Sequence, residues 1–568
     1  MRTESNGNRM WIGLLCSVVV TAWCGFGLAA APPPVETQAS VLVSPSPLAT
    51  QAGEAALAAG GNAVDAAVAV SFAIGVVEPW GSGIGGGAFM VTHLGGQTMT
   101  WDMREMAPTA ATHDMFVRDG KVVRGESIFS ARAAGVPGLV RGLVAVHKRH
   151  GKLPLAVVMA PAISLARDGI RVTPRMHGAI EQMKEHMNPE ARAIYLTQAG
   201  EVPKAGTWIV QAALGRTMVG IAETGGEDFY TGAVAAELVR SVRAQGGLWT
   251  KEDLANYKVV ERPPVVGTYR GHTVLSMGPP SSGGLLLVQM LEVLSGFDLQ
   301  KMGFGGSDYV HTLAEVMKRA FAMRASGLGD PDHHTVDHAA FIGAPVVEAI
   351  REAVAKATKA TDAKTLGRVK VKAGESTHTS HFGVMMANGD AVACTQTINL
   401  RFGTGRVAGS TGVLLNNEMD DFSALPGVPN AFGLIGDAAN AIAAGKRPLS
   451  SMTPTILLRD GRAVGVFGSP GGSRIITTTL QQVLNVVDHG MNASEATAAA
   501  RVHHQWYPDV VRYEPFGLSA DTVQALEAKG HILEERGTMG NGGVLWRRAD
   551  GTLTGGADPR GEGGAGGL

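Results

Sequence analysis

Two apolar segments, residues 381–386 and 391–397, flank Ala387-Asn388-Gly389-Asp390, and this arrangement restricts the fold more tightly than any other stretch of the chain. Asn-Gly between strand-forming runs favours the tight turn whose twist matches two antiparallel strands, so the segment is read as a β-hairpin. The residues before it differ in kind. From Thr358 to His378 the chain is rich in Lys, Thr and Gly, carries Lys359, Lys364, Arg368, Lys370 and Lys372, and lacks a helical period. An exposed connector is expected there. Thr379 therefore lies where a connector enters a hairpin.

Upstream, residues 49–59 and 62–77 read as two helices separated by Gly60-Gly61, with Asn62 and Asp65 as a capping pair. Val77-Glu78-Pro79-Trp80 ends the second helix and opens the glycine run 81–87, after which 88–92 and 99–103 have strand character. Residues 125–325 are mostly helical in pattern, with breaks at Gly151, Gly225-Gly226 and Gly278-Pro279-Pro280, and the Gly-rich end 561–567 reads as mobile. A chain of 568 residues exceeds one ordinary compact unit, so two halves or a large layered core are expected.

The chain has 49 Lys+Arg against 50 Asp+Glu, and this balance argues against a nucleic-acid binder, which would show a basic excess. Arg2 and Arg9 precede an apolar run from Met10 to Leu28 and then Ala29-Ala30-Ala31, the pattern of a secretory signal over residues 1–30. The protein is accordingly expected to be exported, periplasmic or secreted, with no stable membrane span once the signal is removed. The apolar stretch 63–77 is short and carries Asp65. Cys16 and Cys24 lie in the signal; Cys394 alone remains, so no internal disulfide can form.

Several motifs occur in a fixed order: Gly60-Gly61-Asn62-Ala63-Val64-Asp65-Ala66-Ala67, Arg104-Glu105-Met106-Ala107-Pro108, Thr379-Ser380-His381-Phe382, Gln396-Thr397-Ile398-Asn399, residues 414–423 with Asn416-Asn417-Glu418 and Asp420-Asp421, Arg447-Pro448-Leu449-Ser450-Ser451, and Gly468-Ser469-Pro470-Gly471-Gly472-Ser473-Arg474. From about Ala49 to Arg560 the chain resembles the γ-glutamyltranspeptidases, which are N-terminal-nucleophile hydrolases.

The resemblance implies an α/β (α+β) fold, a four-layer αββα sandwich cut by its own chemistry into a large fragment, 31–378, and a small one, 379–568, held as a heterodimer. It implies that Thr379 attacks the carbonyl of His378, that hydrolysis of the ester frees the Thr379 amine, and that the same hydroxyl then attacks γ-glutamyl amides such as glutathione. A γ-glutamyl-enzyme ester would pass the group to water, an amino acid or a short peptide. The physics is coherent: a threonine hydroxyl needs a base, and a chain-terminal amine with pKa of about 7.7–8.0 can serve. By resemblance Thr397 bonds the nucleophile, Gly471 and Gly472 form the oxyanion hole, Arg104 with Ser450 and Ser451 takes the substrate α-carboxylate, and Asn399, Glu418 and Asp421 take the α-ammonium. A guanidinium fork suits a carboxylate. The chemistry requires no cofactor and no metal.

Three positions depart from common forms of the family: Ser380 after the nucleophile, Arg401 beyond Asn399, and Phe432, where some bacterial relatives carry a lid tyrosine that bonds the residue equivalent to Asn399. Phenylalanine cannot make that bond, so a looser lid with an altered balance of hydrolysis and transfer is expected. The alternatives are a glutaryl or cephalosporin acylase of the same architecture and a non-catalytic periplasmic glutamyl-peptide-binding protein. Gly81-Ser82-Gly83-Ile84-Gly85-Gly86 fits a nucleotide-loop pattern but has its helix before and its strand after, which rejects that reading. His333, His334 and His338 with Asp332 and Asp337 are read as a solvated loop, His503-His504 as a structural pair near Trp506, and Asn492-Ala493-Ser494 as a sequon of consequence only in a glycosylating host.

Overall fold

The computed structural model describes residues 31–367 and 379–568. The expected signal with Cys16 and Cys24, and residues 368–378 with His378, lie outside the described residues. The hairpin forms as Ser380–Met386 and Ala391–Thr397, with Phe382 opposite Cys394 and Val384 opposite Val392. Gly389 turns it at φ 100°, in the left-handed region that favours glycine. Side chains alternate strictly: Phe382, Val384, Val392 and Cys394 enter one core, Met385, Ala391 and Ala393 another. Both faces are apolar, so the hairpin is buried on both sides.

It is central to an antiparallel sheet of seven strands, in the order Gly564–Gly567, Ser40–Ser44, Ser380–Met386, Ala391–Thr397, Gly87–Leu94, Gln97–Met103, Val260–Arg262. A second seven-stranded antiparallel sheet runs Val35–Thr37, Leu553–Ala557, Gly543–Arg547, Arg462–Gly468, Thr455–Arg459, His272–Ser276, Val265–Tyr269. The sheets meet across Val41, Val43, Val91, Ile456, Val466 and Leu545. Helices Pro47–Ala58 and Ala63–Val77 cover the outer face of the first sheet, and Gly283–Leu294 and Arg474–Val487 that of the second. The result is the expected four-layer αββα sandwich. Each sheet contains strands from both sides of position 379.

Every residue of Ala63–Val77 is buried, as befits a helix apolar all round. Its start is a capping box, with Asn62 Oδ1 accepting from Val64 and Asp65 N–H, and Asp65 Oδ2 accepting from Asn62 N–H at 2.8 Å. Asp65 also accepts from the Lys152 and Leu153 amides, so its buried charge is held by backbone donors. Among the described residues no helix is long and apolar enough to cross a membrane.

Residues 125–325 are mostly helical, as expected, and also hold the short strands Val260–Arg262, Val265–Tyr269 and His272–Ser276, of which Val265–Tyr269 buries alternate residues. Two expectations need correction. The glycine tail is not loose. Gly564–Gly567 pairs with Ser40–Ser44, and a Cβ at Gly567 would fall 2.1 Å from the backbone oxygen of Ser40, so glycine there is a packing requirement. The described part of the connector is pinned rather than simply exposed. Ala360 N–H donates to Lys529 O at 2.8 Å, Ala363 N–H to Asp509 at 3.0 Å, and Trp506 Nε1–H to Ala363 O at 2.9 Å.

Candidate active site

Pairing of Ser380 with Gln396 places Thr379 and Thr397 side by side at the end of the hairpin. Their hydroxyl oxygens are 3.4 Å apart. Thr397 Oγ1 accepts from Asn399 N–H at 2.8 Å, which leaves its own hydrogen available for the Thr379 oxygen. Asn399 reaches this position at φ 73°, a left-handed conformation that asparagine tolerates, and its Nδ2 donates to Asn417 O at 2.9 Å. The Asn399 Oδ1 thus keeps acceptor capacity.

Beneath Thr379 a polar chain runs from Gln396 Nε2 to Ser82 Oγ (2.9 Å), on to Ser380 Oγ (3.3 Å), and to Glu78 Oε2 (2.8 Å). Burial pushes the Glu78 carboxyl up to about 7, partly opposed by the Arg175 guanidinium and the Ser380 hydrogen bond. The glycine run is explained by contact with this strand end: a Cβ on Gly86 would stand 2.0 Å from Thr397 O. His381 is buried with Nδ1 2.9 Å from Thr395 Oγ1, and burial depresses it to about 3, so it stays neutral.

On the inner side a small cavity is lined by Arg104, Thr379, Thr397, Asn399, Glu418, Asp421, Phe432, Ser450, Ser451 and Gly472, so all the residues assigned by resemblance except Gly471 share one wall system. Arg104 is 1% exposed and fully engaged. Nε donates to Pro448 O at 3.1 Å, Nη2 to Asp421 Oδ2 at 2.6 Å, and Nη1 faces Glu418 and, at 3.7 Å, Glu105. Burial alone would depress this guanidinium, but the carboxylates of Glu418, Asp421 and Glu105 hold it above its usual range. Burial drives Glu105 and Glu418 the other way, toward protonation, with Arg104 opposing. One guanidinium among three carboxyl groups is a site with capacity for a further cation.

Ser450 and Ser451 are buried, and the Ser450 carbonyl is gripped by Ser282 through N–H (2.9 Å) and Oγ–H (2.8 Å). Behind them lies a residue that no motif announced. Buried Arg324 donates from Nε to Ser282 Oγ at 2.9 Å and from Nη2 to Ser451 Oγ at 3.4 Å, adding positive potential where an anion would sit. Burial lowers it to about 10, with Asp421 opposing. Asn416, in the 414–423 motif, ties the site together in three dimensions: Nδ2 bonds Gly85 O and Gly135 O, while Oδ1 accepts from Gly135 and Glu418 N–H.

Gly471 and Gly472 stand at φ 138° and 59°, just ahead of helix Arg474–Val487, where Arg474 and Ile475 N–H bond back to their carbonyls. A glycine pair turned this way at a helix N-terminus can present backbone N–H groups to an anion. Gly472 lines the inner cavity and Gly471 a larger outer one, while Thr379 belongs to both. A carbonyl at that boundary would meet hydroxyl and amides together.

Phe432 caps the inner cavity at 5% exposure. The loop is fastened by its neighbour: Asn430 Nδ2 donates to Asp421 Oδ1 at 3.1 Å, and Asn430 Oδ1 accepts from Phe432 and Leu434 N–H. The sequence reading missed this tie, because only the fold brings 421 and 430 together.

Elsewhere, His333 and the neighbouring acids sit on a loop where Asp332 pairs with Arg262 and Arg447. His503 bonds Thr477 and Gln505, and His504 bonds Asp509 and the Trp506 amide, as a structural pair would. Asn492 caps helix Ala493–Ala498. Among the described residues one group, His311, Glu315 and His531, has ligand spacing. Its atoms are committed to one another and to the chain: His311 bonds His531 (2.7 Å) and Ala357 O (2.6 Å), and Glu315 bonds Thr361 and Arg319. It reads as a hydrogen-bond clasp.

The family model described as gamma-glutamyltranspeptidase matches residues 49–568. The "Glutathione hydrolase proenzyme" of Escherichia coli is 44% identical over 554 residues, covering 94% of this chain and 95% of that protein. An "Acylase ACY 1 proenzyme" from a Pseudomonas species is 36% identical, with 93% and 94% covered. The crystal structure of a cephalosporin acylase from Bacillus halodurans superposes with a TM-score of 0.82 at 26% identity, covering 96% of this chain and 99% of that one. With the family model spanning nearly the whole chain and the Thr379 site built from its motifs, the chain belongs to the γ-glutamyltranspeptidase family.

Proposed function

We propose that this protein is an exported γ-glutamyltransferase and glutathione hydrolase that cuts itself before Thr379 into fragments 31–378 and 379–568. The carrying observation is that Thr379 shares one cavity wall with both charge sets a glutamyl group needs: Arg104, Ser450 and Ser451 for the α-carboxylate, and Asn399, Glu418 and Asp421 for the α-ammonium. Pairing of strands from both fragments in each sheet would hold the cut chain together as a heterodimer.

After the cut the Thr379 amine accepts the hydroxyl proton while Oγ attacks the γ-carbonyl carbon of the donor. The oxyanion forms against the Gly471 and Gly472 amides, and a donor of that kind is worth roughly 10²–10³ in rate. Thr397 fixes the Oγ orientation. Collapse breaks the C–N bond, the leaving amine takes the proton from the Thr379 ammonium, and a γ-glutamyl ester remains. Water, or the amine of an amino acid or peptide, attacks the ester in the reverse sequence.

The inner cavity is narrow, about 20 Å³, with Phe432 over it and Arg104 tied to Glu418 and Asp421. A donor therefore enters as the lid loop moves, and exchanges its own charges for part of that ion-pair set. The acylase alternative shares the nucleophile but has no use for an ammonium pocket, and Glu418 and Asp421 favour the glutamyl reading. Turnover of γ-glutamyl-p-nitroanilide against glutaryl-p-nitroanilide, which lacks only the α-amine, tests this. The glutamyl compound should be strongly preferred; preference for the glutaryl compound would move the protein to the acylases, and turnover of neither would favour a binding protein.

A further inference from the structure

By the glutamyl reading one side of the inner cavity takes a carboxylate, yet the guanidinium assigned to it is matched within the protein. Arg104 meets Glu418, Asp421 at 2.6 Å and Glu105 at 3.7 Å. A second guanidinium stands behind Ser450 and Ser451. Arg324 is the last residue of helix Ser307–Arg324 and is 5% exposed. Among the described residues no ion pair holds it, and its donors go to serine oxygens: Nε to Ser282 Oγ at 2.9 Å, Nη2 to Ser451 Oγ at 3.4 Å. Asp421, the carboxylate that opposes its desolvation, is itself bonded to Arg104 and Asn430. A buried cation held by neutral oxygens is costly unless an anion completes it.

The bonds around Arg324 run in one direction, toward the cavity. Ser282 Oγ accepts from Arg324 Nε, and its own hydrogen goes to Ser450 O at 2.8 Å, beside Ser282 N–H at 2.9 Å. Ser450 N–H donates to Pro280 O at 2.8 Å, so this turn is clamped through both backbone groups. Ser450 Oγ accepts from Met452 N–H at 3.1 Å, as Ser451 Oγ accepts from Arg324. Each hydroxyl keeps a hydrogen that it gives to no group among the described residues, and both serines line the cavity. Two O–H donors backed by a guanidinium suit an anion and offer little to an ammonium.

We propose that Arg324 is a positioning residue for the substrate α-carboxylate: it fixes the Ser450-Ser451 turn, orients the Ser451 hydroxyl as a donor, and adds the counter-charge that Arg104 shares with three acids. This rests on the glutamyl reading above and adds to it a residue from outside the motifs.

The test compares kcat/KM for γ-glutamyl-p-nitroanilide and for its α-carboxamide, which keeps the shape and the α-amine but lacks the anion. The wild type should prefer the carboxylate by about tenfold or more, the size expected for opposite charges one hydroxyl apart. Arg324→Gln should lower that ratio about tenfold, through KM of the carboxylate compound, and Arg324→Lys should restore part of it. A cooperative thermal transition shows that each variant folds. If Arg324→Gln does not fold, Ser451→Ala carries the test, because it removes the hydroxyl through which the charge acts; an unmoved ratio there refutes the proposal. An equal fall for both compounds in Arg324→Gln would make the residue a structural support only and overturn the proposal, as would a wild type that does not distinguish them. A wild type that turns over neither compound would count against the Thr379 reading, and this one with it.

Discussion

Asp421→Asn is the most discriminating change in the inner cavity, because Asp421 uses its two oxygens differently. Oδ2 accepts from Arg104 at 2.6 Å and Oδ1 from Asn430 of the lid at 3.1 Å. An asparagine offers one oxygen, so one of these ties is lost, and the lid contact is the weaker. That loss should lower turnover of any substrate needing a closed lid. A separate loss falls only on substrates with an α-ammonium. A charged hydrogen bond contributes about 1.5–3 kcal/mol and a neutral one about 0.5–1.5, so replacing carboxylate by amide should cost about 1.4 kcal/mol. That is about tenfold. The assay is kcat/KM for γ-glutamyl-p-nitroanilide and glutaryl-p-nitroanilide on wild type and variant. The ratio of the two should fall about tenfold, chiefly through KM of the glutamyl compound. Arg104 keeps Glu418 and Glu105 as partners, so the fold should survive. If both substrates fall by the same factor, Asp421 does not read the ammonium.

Three other expectations follow from the same geometry. Phe432→Tyr supplies a hydroxyl near Asn399 and should shift the transfer-to-hydrolysis ratio by about two- to tenfold, the range of one neutral hydrogen bond; an unchanged ratio removes lid chemistry from the account. The Glu78 carboxyl, raised by burial to about 7 from 4.5, binds its proton more tightly folded than unfolded, so its contribution is fully present below about pH 4.5 and is lost as pH rises through about 7. Glu78→Gln should flatten that fall, about 3 kcal/mol at most, in melting temperatures compared between pH 5 and pH 8; parallel curves for both proteins would refute it. Gly567→Val places a side chain against the Ser40 backbone carbonyl and should destabilise by about 1–3 kcal/mol in thermal unfolding, whereas a mobile tail would tolerate it.

Much of the site could be read from the sequence because its parts lie in short contiguous motifs. Thr379 and Thr397 bracket one hairpin, Glu418 and Asp421 lie on one short turn, and Gly471-Gly472 leads directly into a helix. The hairpin itself was legible because Asn388-Gly389 permits little else. What escaped is what tertiary contact decides. Arg324 sits on an ordinary-looking helix and becomes relevant only where Ser282 and Ser451 meet it. Asn430 matters only because the lid folds onto Asp421. The glycine tail was misread because composition describes freedom in the unfolded chain, and here each missing side chain admits a neighbouring strand or carboxylate. The strands at 260–276 are short, interrupted and embedded among helices, so periodicity over a long window averages them away.

The central claim, that Thr379 makes itself the terminal nucleophile, is tested most directly by intact mass spectrometry of the purified protein beside Thr379→Ala. Two wild-type fragments whose masses meet between His378 and Thr379, with a single uncut chain in the variant, are the predicted result. A wild-type protein that stays whole while turning over γ-glutamyl-p-nitroanilide, or a variant that is cut at the same bond, would contradict it.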